Sequence, residues 1–188
     1  RLTGESGLLH KRTWAEVSQL RSQGERIPRL DDLGAAIDQL APCPRLLNVE
    51  FKPTARALEL IEAATPFFEA MGFHSQMEIV LSSFDPRVVD AVIRHRPKWR
   101  VAYLYEDLAA LEALRYFPVS ATGLDLHPRH NLLTEAHMEE YGQAQTTFRT
   151  WTVDDPLDAR RVLGLGVTHI ITNAPTALAD AMEENPSS

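Results

Sequence analysis

From Leu46 onward the chain repeats one pattern. A short apolar run is followed by turn residues and then by a longer stretch with apolar positions at helical spacing. Leu46–Phe51, Glu78–Ser82, Arg100–Leu104, Ala121–Leu126, Thr147–Thr152 and Thr168–Thr172 read as strands. Asp85-Pro86 and Asp155-Pro156 each set a capping carboxylate before a proline, which starts a helix. Further helices are predicted from Pro53-Thr54 with an interruption at Pro66, from Asp107 to Leu114, from the cap Thr134 to near Gly142, and from Pro175. Upstream, Thr13-Trp14-Ala15-Glu16 matches a capping box and predicts a helix through Leu20. Gly24–Leu30 reads as loop. A helix over Asp31–Leu40 carries Leu33, Ala36, Ile37 and Leu40 on one face, and Ala41-Pro42-Cys43-Pro44 breaks it.

Strict strand–helix alternation argues for an α/β protein with a parallel sheet and crossover helices. An open doubly wound sheet and a closed barrel both satisfy it. No G-x-G-x-x-G follows any strand, which weakens the nucleotide-binding open sheet. Polar residues gather at the predicted C-terminal strand ends, where barrel enzymes keep their active sites.

Composition narrows the partners. With 188 residues the chain is long enough for one sizeable core, so 1–188 is expected to form a single domain. The net charge of −7 excludes a broad nucleic-acid footprint. No apolar run approaches the roughly 20 residues of a membrane helix, so stable membrane insertion is not expected. Cys43 is the only cysteine, so no internal disulfide forms, which suits a reducing compartment and a cytoplasmic location.

Candidate chemistry is densest on Leu46–Lys52. Alternation turns Leu47, Val49 and Phe51 toward covering helices and Asn48, Glu50 and Lys52 the other way, with roughly 7 Å between alternate residues. Two readings fit. Glu50 is a ligand for a hard cation, Mg²⁺ or Ca²⁺, with Lys52 holding an anionic substrate oxygen; or the two form a structural ion pair. Ser82 and Ser83 either donate to a phosphate or simply end their strand before the Asp85 cap. Trp151 is an apolar wall or a core residue. His127-Pro128-Arg129-His130 lies just past a strand end and reads as a solvated loop. His169, in an apolar strand, reads as a core residue, and His10, His74, His95 and His137 fall on loops or polar helix faces. No hydrolase elbow or zinc motif is present.

In order along the chain, several stretches resemble the glycerophosphodiester phosphodiesterase family. Arg1-Leu2-Thr3-Gly4 with Gly7 resembles R-x-T-G-x-x-G, and Thr13–Leu20 resembles t-x-x-E-l-x-x-L. Gly24–Leu30 resembles G-x-x-I-P-T-L, with Arg29 for threonine. Leu47–Lys52 is similar to L-N-x-E-x-K, and Val80–Asp85 to S-S-F-D. Trp151–Val153 resembles W-T-V-N, with Asp154 for asparagine, and Gly166–Pro175 resembles G-V-D-x-I-I-T-D-x-P, with Asn173 for aspartate.

The resemblance implies a (β/α)₈ TIM-type barrel, of which about six of eight strands are present. It implies divalent-cation-dependent hydrolysis of glycerophosphodiesters to an alcohol and glycerol 3-phosphate, within lipid and glycerol metabolism. Glu50 is implied as a metal ligand, Lys52 as the catalytic phosphate-facing residue, and Trp151 with Phe84 as the wall for the glycerol end. The family's H-R-G, E-x-D and H-D motifs would precede Arg1, so the chain is expected to be N-terminally incomplete and inactive alone. The departures at Arg29, Asp154 and Asn173 also admit a non-catalytic barrel relative that serves as a binding or interaction module. A related lipid phosphodiesterase acting on lysophospholipids shares the same chemistry.

Overall fold

The computed structural model describes residues 4, 6–39, 45–72, 77–117, 124–142 and 146–184. The chain divides into two compact units, Arg1–Pro44 with Ala64–Ser75 and Arg45–Ala63 with Gln76–Ser188.

In the first unit, α1 (Trp14–Val17) starts on the expected capping box: the Glu16 carboxylate accepts from the Thr13 N–H at 2.7 Å. It ends at Val17 rather than Leu20, because the chain turns into a small hairpin of β1 (Arg21–Ser22) and β2 (Glu25–Arg26). Gln23 and Gly24 make that turn with positive φ, the left-handed geometry tight hairpins need. Then α2 (Leu30–Asp38) begins where the Asp32 carboxylate accepts from the Arg29 N–H at 2.8 Å. Arg29 also lies over the Trp14 ring, 5.6 Å from its centroid, and pairs with Asp31 at 3.0 Å. The Arg29 departure from the family pattern is therefore absorbed by local structure. Leu40 and Ala41–Pro44 lie outside the described residues.

The second unit opens with β3 (Leu46–Glu50), followed by α3 (Ala57–Gly72). Pro66 sits inside α3 without breaking it, contrary to the sequence reading, and the part of α3 from Ala64 to Gly72 belongs to the first unit. Next come β4 (Glu78–Ser83), α4 (Pro86–His95), β5 (Arg100–Tyr105), α5 (Leu108–Ala113), β6 (Leu124–Pro128) and α6 (Glu135–Tyr141). The series closes with β7 (Arg149–Thr150), α7 (Pro156–Gly164), β8 (His169–Ile170) and α8 (Pro175–Glu184). The caps fall where the sequence places them: Asp85, Asp107, Thr134 and Asp155 each accept a backbone N–H of the following first turn.

Strands β3-β4-β5-β6 are parallel neighbours in chain order, as are β7 and β8. Bridges Leu126↔Phe148 and Arg129↔Trp151 carry the parallel order from β6 to β7. The Pro128 carbonyl faces β7, where it accepts from the Thr150 hydroxyl at 2.9 Å. A proline there has no N–H to offer on that side, and the ladder thins to isolated bridges.

Register sorts the side chains by face. Asn48, Glu50, Val80, Ser82, Arg100, Ala102, Asp125, His127 and Arg149 share one side. Leu81, Ser83, Tyr103, Tyr105 and Phe148 share the other, which the helices cover: the Tyr103 hydroxyl donates to the Ala110 carbonyl of α5, and Tyr105 bonds His137 of α6. The first face is concave. Phe84, just after β4, and Trp151, just after β7, meet with ring centroids 5.2 Å apart. In a flat sheet, positions three strands apart would stand roughly 14 Å from each other. Sequential parallel strands, outer helices and inward curvature make this the α/β architecture of a TIM-type barrel, six of whose strands lie among the described residues.

Candidate active site

The concave face is layered along the strands. Its deepest layer, at the N-terminal ends, is ionic. Arg100 Nε meets Asp125 at 2.8 Å and its Nη2 donates to the Thr147 hydroxyl at 2.6 Å. Arg100 also pairs with Glu78, and Arg149 pairs with Asp125 and lies 3.6 Å from Glu78. These partners are up to 47 residues apart in sequence, so spacing gave no sign of them.

The next residues on this face are Glu50, Ser82 and Ala102, which are in register, and Leu104 with its register partner His127. The register pairs Glu50 with Ser82. Ser82 and His127 are completely buried, and neither the Ser82 hydroxyl nor either His127 ring nitrogen has a hydrogen-bond partner. Burial, with the Arg149 guanidinium nearby, pushes the His127 imidazole down to about 3. Sequence reasoning placed His127 in a solvated loop because Pro128 looked like a breaker; the strand in fact runs through it. Ser83, one residue on, faces the helices instead. Its hydroxyl donates to the Phe51 carbonyl at 2.7 Å and accepts from the Asp85 N–H, a structural role. Period-two alternation with Glu50 was the signal that separates the two serines.

The rim carries the remaining predicted residues. Lys52 Nζ donates to Glu50 Oε1 at 2.6 Å. The lysine side chain is 78% exposed and the glutamate 29%, so the ion pair exists but sits in water. Phe84 and Trp151 form the edge-to-face pair described above, and Trp151 Nε1 donates to the His127 carbonyl at 2.8 Å, fixing the indole. The structure thus joins Glu50 to Lys52 and Phe84 to Trp151, and Ser82 stands between the pairs, beside Glu50 in register and two residues before Phe84.

Beyond β7 and β8, the Asp154 carboxylate accepts from the Thr172 hydroxyl (2.8 Å), the Asn173 N–H (2.8 Å) and the Asn173 side-chain amide (3.0 Å). These bonds, the Asn173 N–H foremost, hold Asp154 below the ordinary carboxylate range. Two departures from the family pattern therefore answer each other: carboxylate and amide have exchanged positions and still bond.

The other histidines carry two corrections. His137 is buried against Tyr105, at 2.8 Å, rather than on a polar helix face. His169, expected in the core, is exposed, with Nδ1 2.9 Å from its neighbour Thr168. His130 is half-buried beside Asp158, at 3.5 Å, and His95 is exposed; His74 and the side chain of His10 fall outside the described residues.

Among the described residues, no group of three or more His, Cys, Asp or Glu side chains stands ready to hold a metal ion. Glu50 offers one hard carboxylate. That fits Mg²⁺, which is commonly held by one or two carboxylates together with water and substrate phosphate. No helix of the described residues is long and apolar enough to cross a membrane.

Comparison with known proteins agrees with the fold. A phosphodiesterase from Oleispira antarctica, solved in complex with sn-glycerol-3-phosphate, superposes with a TM-score of 0.76 at 21% identity, covering 97% of this chain and 75% of that one. A glycerophosphodiester phosphodiesterase from Parabacteroides distasonis gives 0.69 at 20% identity, covering 93% and 72%. No curated protein matches the sequence significantly. At such identities the likeness establishes the fold. The family profile reaches further: that of the glycerophosphoryl diester phosphodiesterase family matches residues 1–177, nearly the whole chain, and the chain belongs to that family.

Proposed function

We propose that the protein hydrolyses glycerophosphodiesters to an alcohol and glycerol 3-phosphate with a divalent cation, Mg²⁺ or Ca²⁺, and that Glu50, Lys52, Phe84 and Trp151 form its share of the site. The observation that carries this is the Glu50–Lys52 pair at the C-terminal strand ends, exposed where a stabilising ion pair would be of little use. An exposed pair contributes about 0–1 kcal/mol, so stability alone is a weak reason for both charges. A carboxylate beside an ammonium at the mouth of a barrel is well suited to a phosphodiester: one charge holds a cation, the other an anionic oxygen.

Bound at Glu50, the cation would supply Lewis-acid polarisation of the phosphoryl group. Lys52, on a flexible stem, turns from Glu50 to a phosphoryl oxygen and stabilises the charge that grows there during in-line attack on phosphorus. Phe84 and Trp151 offer an apolar wall to the glycerol carbons and exclude water from that side. The family membership supports this reading, as does the solved relative that holds sn-glycerol-3-phosphate. Of the departures from the family pattern, Asp154 and Asn173 bond to each other, and the Arg29 guanidinium lies over Trp14.

The test is metal-dependent release of glycerol 3-phosphate by the protein as its gene encodes it, before and after chelation. Activity that returns with Mg²⁺ or Ca²⁺ and falls at least a hundredfold in Glu50→Gln supports the reading; a fully active E50Q protein overturns it.

A further inference from the structure

Two buried side chains on the concave face remain unused by that reading. Ser82 and His127 are fully enclosed, and their polar side-chain atoms make no hydrogen bond. Such groups are costly when left unsatisfied. The helix-facing side of the same sheet sets the contrast: the buried hydroxyls of Ser83, Tyr103 and Tyr105 and the buried imidazole of His137 all have partners. Unsatisfied hydroxyl and imidazole groups thus fall on the face that carries Glu50, Lys52 and Trp151.

Their surroundings define what they suit. Toward the strand N-termini lies the ionic layer, whose cations Arg100 and Arg149 are already bound to Asp125 and Glu78. Toward the strand C-termini lies the Phe84–Trp151 pair. Between Ser82 and His127, β5 contributes Ala102, in register with Ser82, and Leu104, in register with His127. Neutral imidazole offers one N–H donor and one lone pair, and a hydroxyl offers both functions. Arg149 Nε, also without a partner, adds a donor. A set of uncharged donors and acceptors beneath aromatic rings suits a polyol: its hydroxyls give and take hydrogen bonds while its C–H groups lie against the rings.

We propose that Ser82 and His127 form a hydroxyl-recognition subsite, which takes the glycerol moiety of the substrate beneath the Phe84–Trp151 pair. This assignment rests on the glycerophosphodiester reading and adds to it the residues that select glycerol from other alcohols. Both act by binding, since neither carries charge to the phosphoryl group.

The experiment uses the protein as its gene encodes it and two diesters, glycerophosphoethanolamine and bis(4-nitrophenyl) phosphate, the second of which lacks hydroxyls. Ser82→Ala and His127→Asn are each expected to raise KM for the glycerol diester about three- to tenfold, the worth of one neutral hydrogen bond, with kcat little changed. KM for the nitrophenyl diester stays as in the parent. In a ¹⁵N-histidine-labelled sample, glycerol 3-phosphate shifts the His127 ring resonances and inorganic phosphate alone does not. Equal KM changes for both diesters, no KM change, or equal shifts with both ligands would overturn the subsite. Should H127N not fold, S82A decides the kinetic arm. A parent protein that cleaves neither diester refutes the proposed reaction, and the ring shifts then still decide the subsite.

Discussion

The concave face of this sheet holds two sets of ion pairs that differ in how deeply their central contact is buried and in how many partners each charge has. Arg149 and Asp125, at the N-terminal ends of the strands, are 2% and 1% exposed. Lys52 and Glu50, at the C-terminal ends, are 78% and 29% exposed. The deep set is a closed network, in which each arginine meets two carboxylates and Arg100 also reaches Thr147. The rim pair is a single contact between one flexible and one short side chain. Identical chemistry therefore serves opposite ends. Joined to several partners around the buried Arg149–Asp125 contact, charges lock strands β4 to β7 into one curvature; singly paired at the rim, they remain free to exchange partners for a ligand. The number of partners each charge holds separates scaffold from site more cleanly than exposure does, since Arg100 and Glu78 of the deep set, at 37% and 38%, are more open than Glu50 at 29%.

The sharpest way to break that contrast is to remove a charge from the deep layer. Asp125→Ala leaves Arg100 and Arg149 facing one another with only Glu78 between them. Losing one partner of a buried pair costs about 3–5 kcal/mol, because the remaining charge stays desolvated. Urea unfolding should show a loss of that size. A D125A protein within 1 kcal/mol of its parent would mean the layer is no scaffold.

The deep layer also marks where sequence reading runs out. Turn and cap chemistry is local, so Asp85-Pro86, Asp155-Pro156, Thr134 and the Thr13–Glu16 box were all legible, and with them the strand–helix alternation; the choice of a barrel over an open sheet came from the resemblance to the family. Glu50 and Lys52 were legible as a pair because alternation along one strand puts them on one face. The Phe84–Trp151 contact and the Glu78–Arg100–Asp125–Arg149 network join different strands, and only closure of the sheet brings their members together. His127 was misplaced for a related reason. Pro128 disrupts a ladder, yet parallel pairing to β5 on the other side carries the strand through it. The β1–β2 hairpin was missed because its strands are two polar residues long, with Gly24 as the one clear signal.

A smaller effect follows from the middle layer, which separates the two sets. His127 titrates at about 3 in the folded protein and near 6.5 when unfolded. Between those values the unfolded chain binds the extra proton, so the stability His127 contributes is complete above pH 6.5 and drains away as pH falls toward 3. The slope for one such group reaches about 1.4 kcal/mol per pH unit. His137 is lowered too, chiefly by burial, and adds in the same direction. Urea midpoints from pH 7 to pH 4.5, above most carboxylate titration, should decline in the parent and decline less steeply in His127→Asn. Parallel curves would show that the imidazole is hydrated and that the middle layer is open to solvent.

The smallest expected change in stability, and the most informative, belongs to Lys52. Replacing it by alanine removes an exposed ammonium whose contact with Glu50 is worth at most about 1 kcal/mol, so the unfolding midpoint should barely move. If Lys52 carries charge stabilisation at the phosphoryl group, kcat/KM should fall about a hundred- to a thousandfold, as it does when a preorganised donor is removed from a transition state. Lys52→Arg keeps the charge but spreads it over a planar fork on a different stem, so a partial return of kcat is expected rather than full rescue. Setting K52A beside D125A then tests the whole contrast in one pair of measurements. A rim variant that is stable and inactive, against a deep variant that is unstable for its loss of charge, assigns the two ion-pair sets to different tasks. A K52A protein that unfolds as readily as D125A would make the rim pair a scaffold like the deep one, and Glu50 would then be engaged in the fold rather than available to a cation.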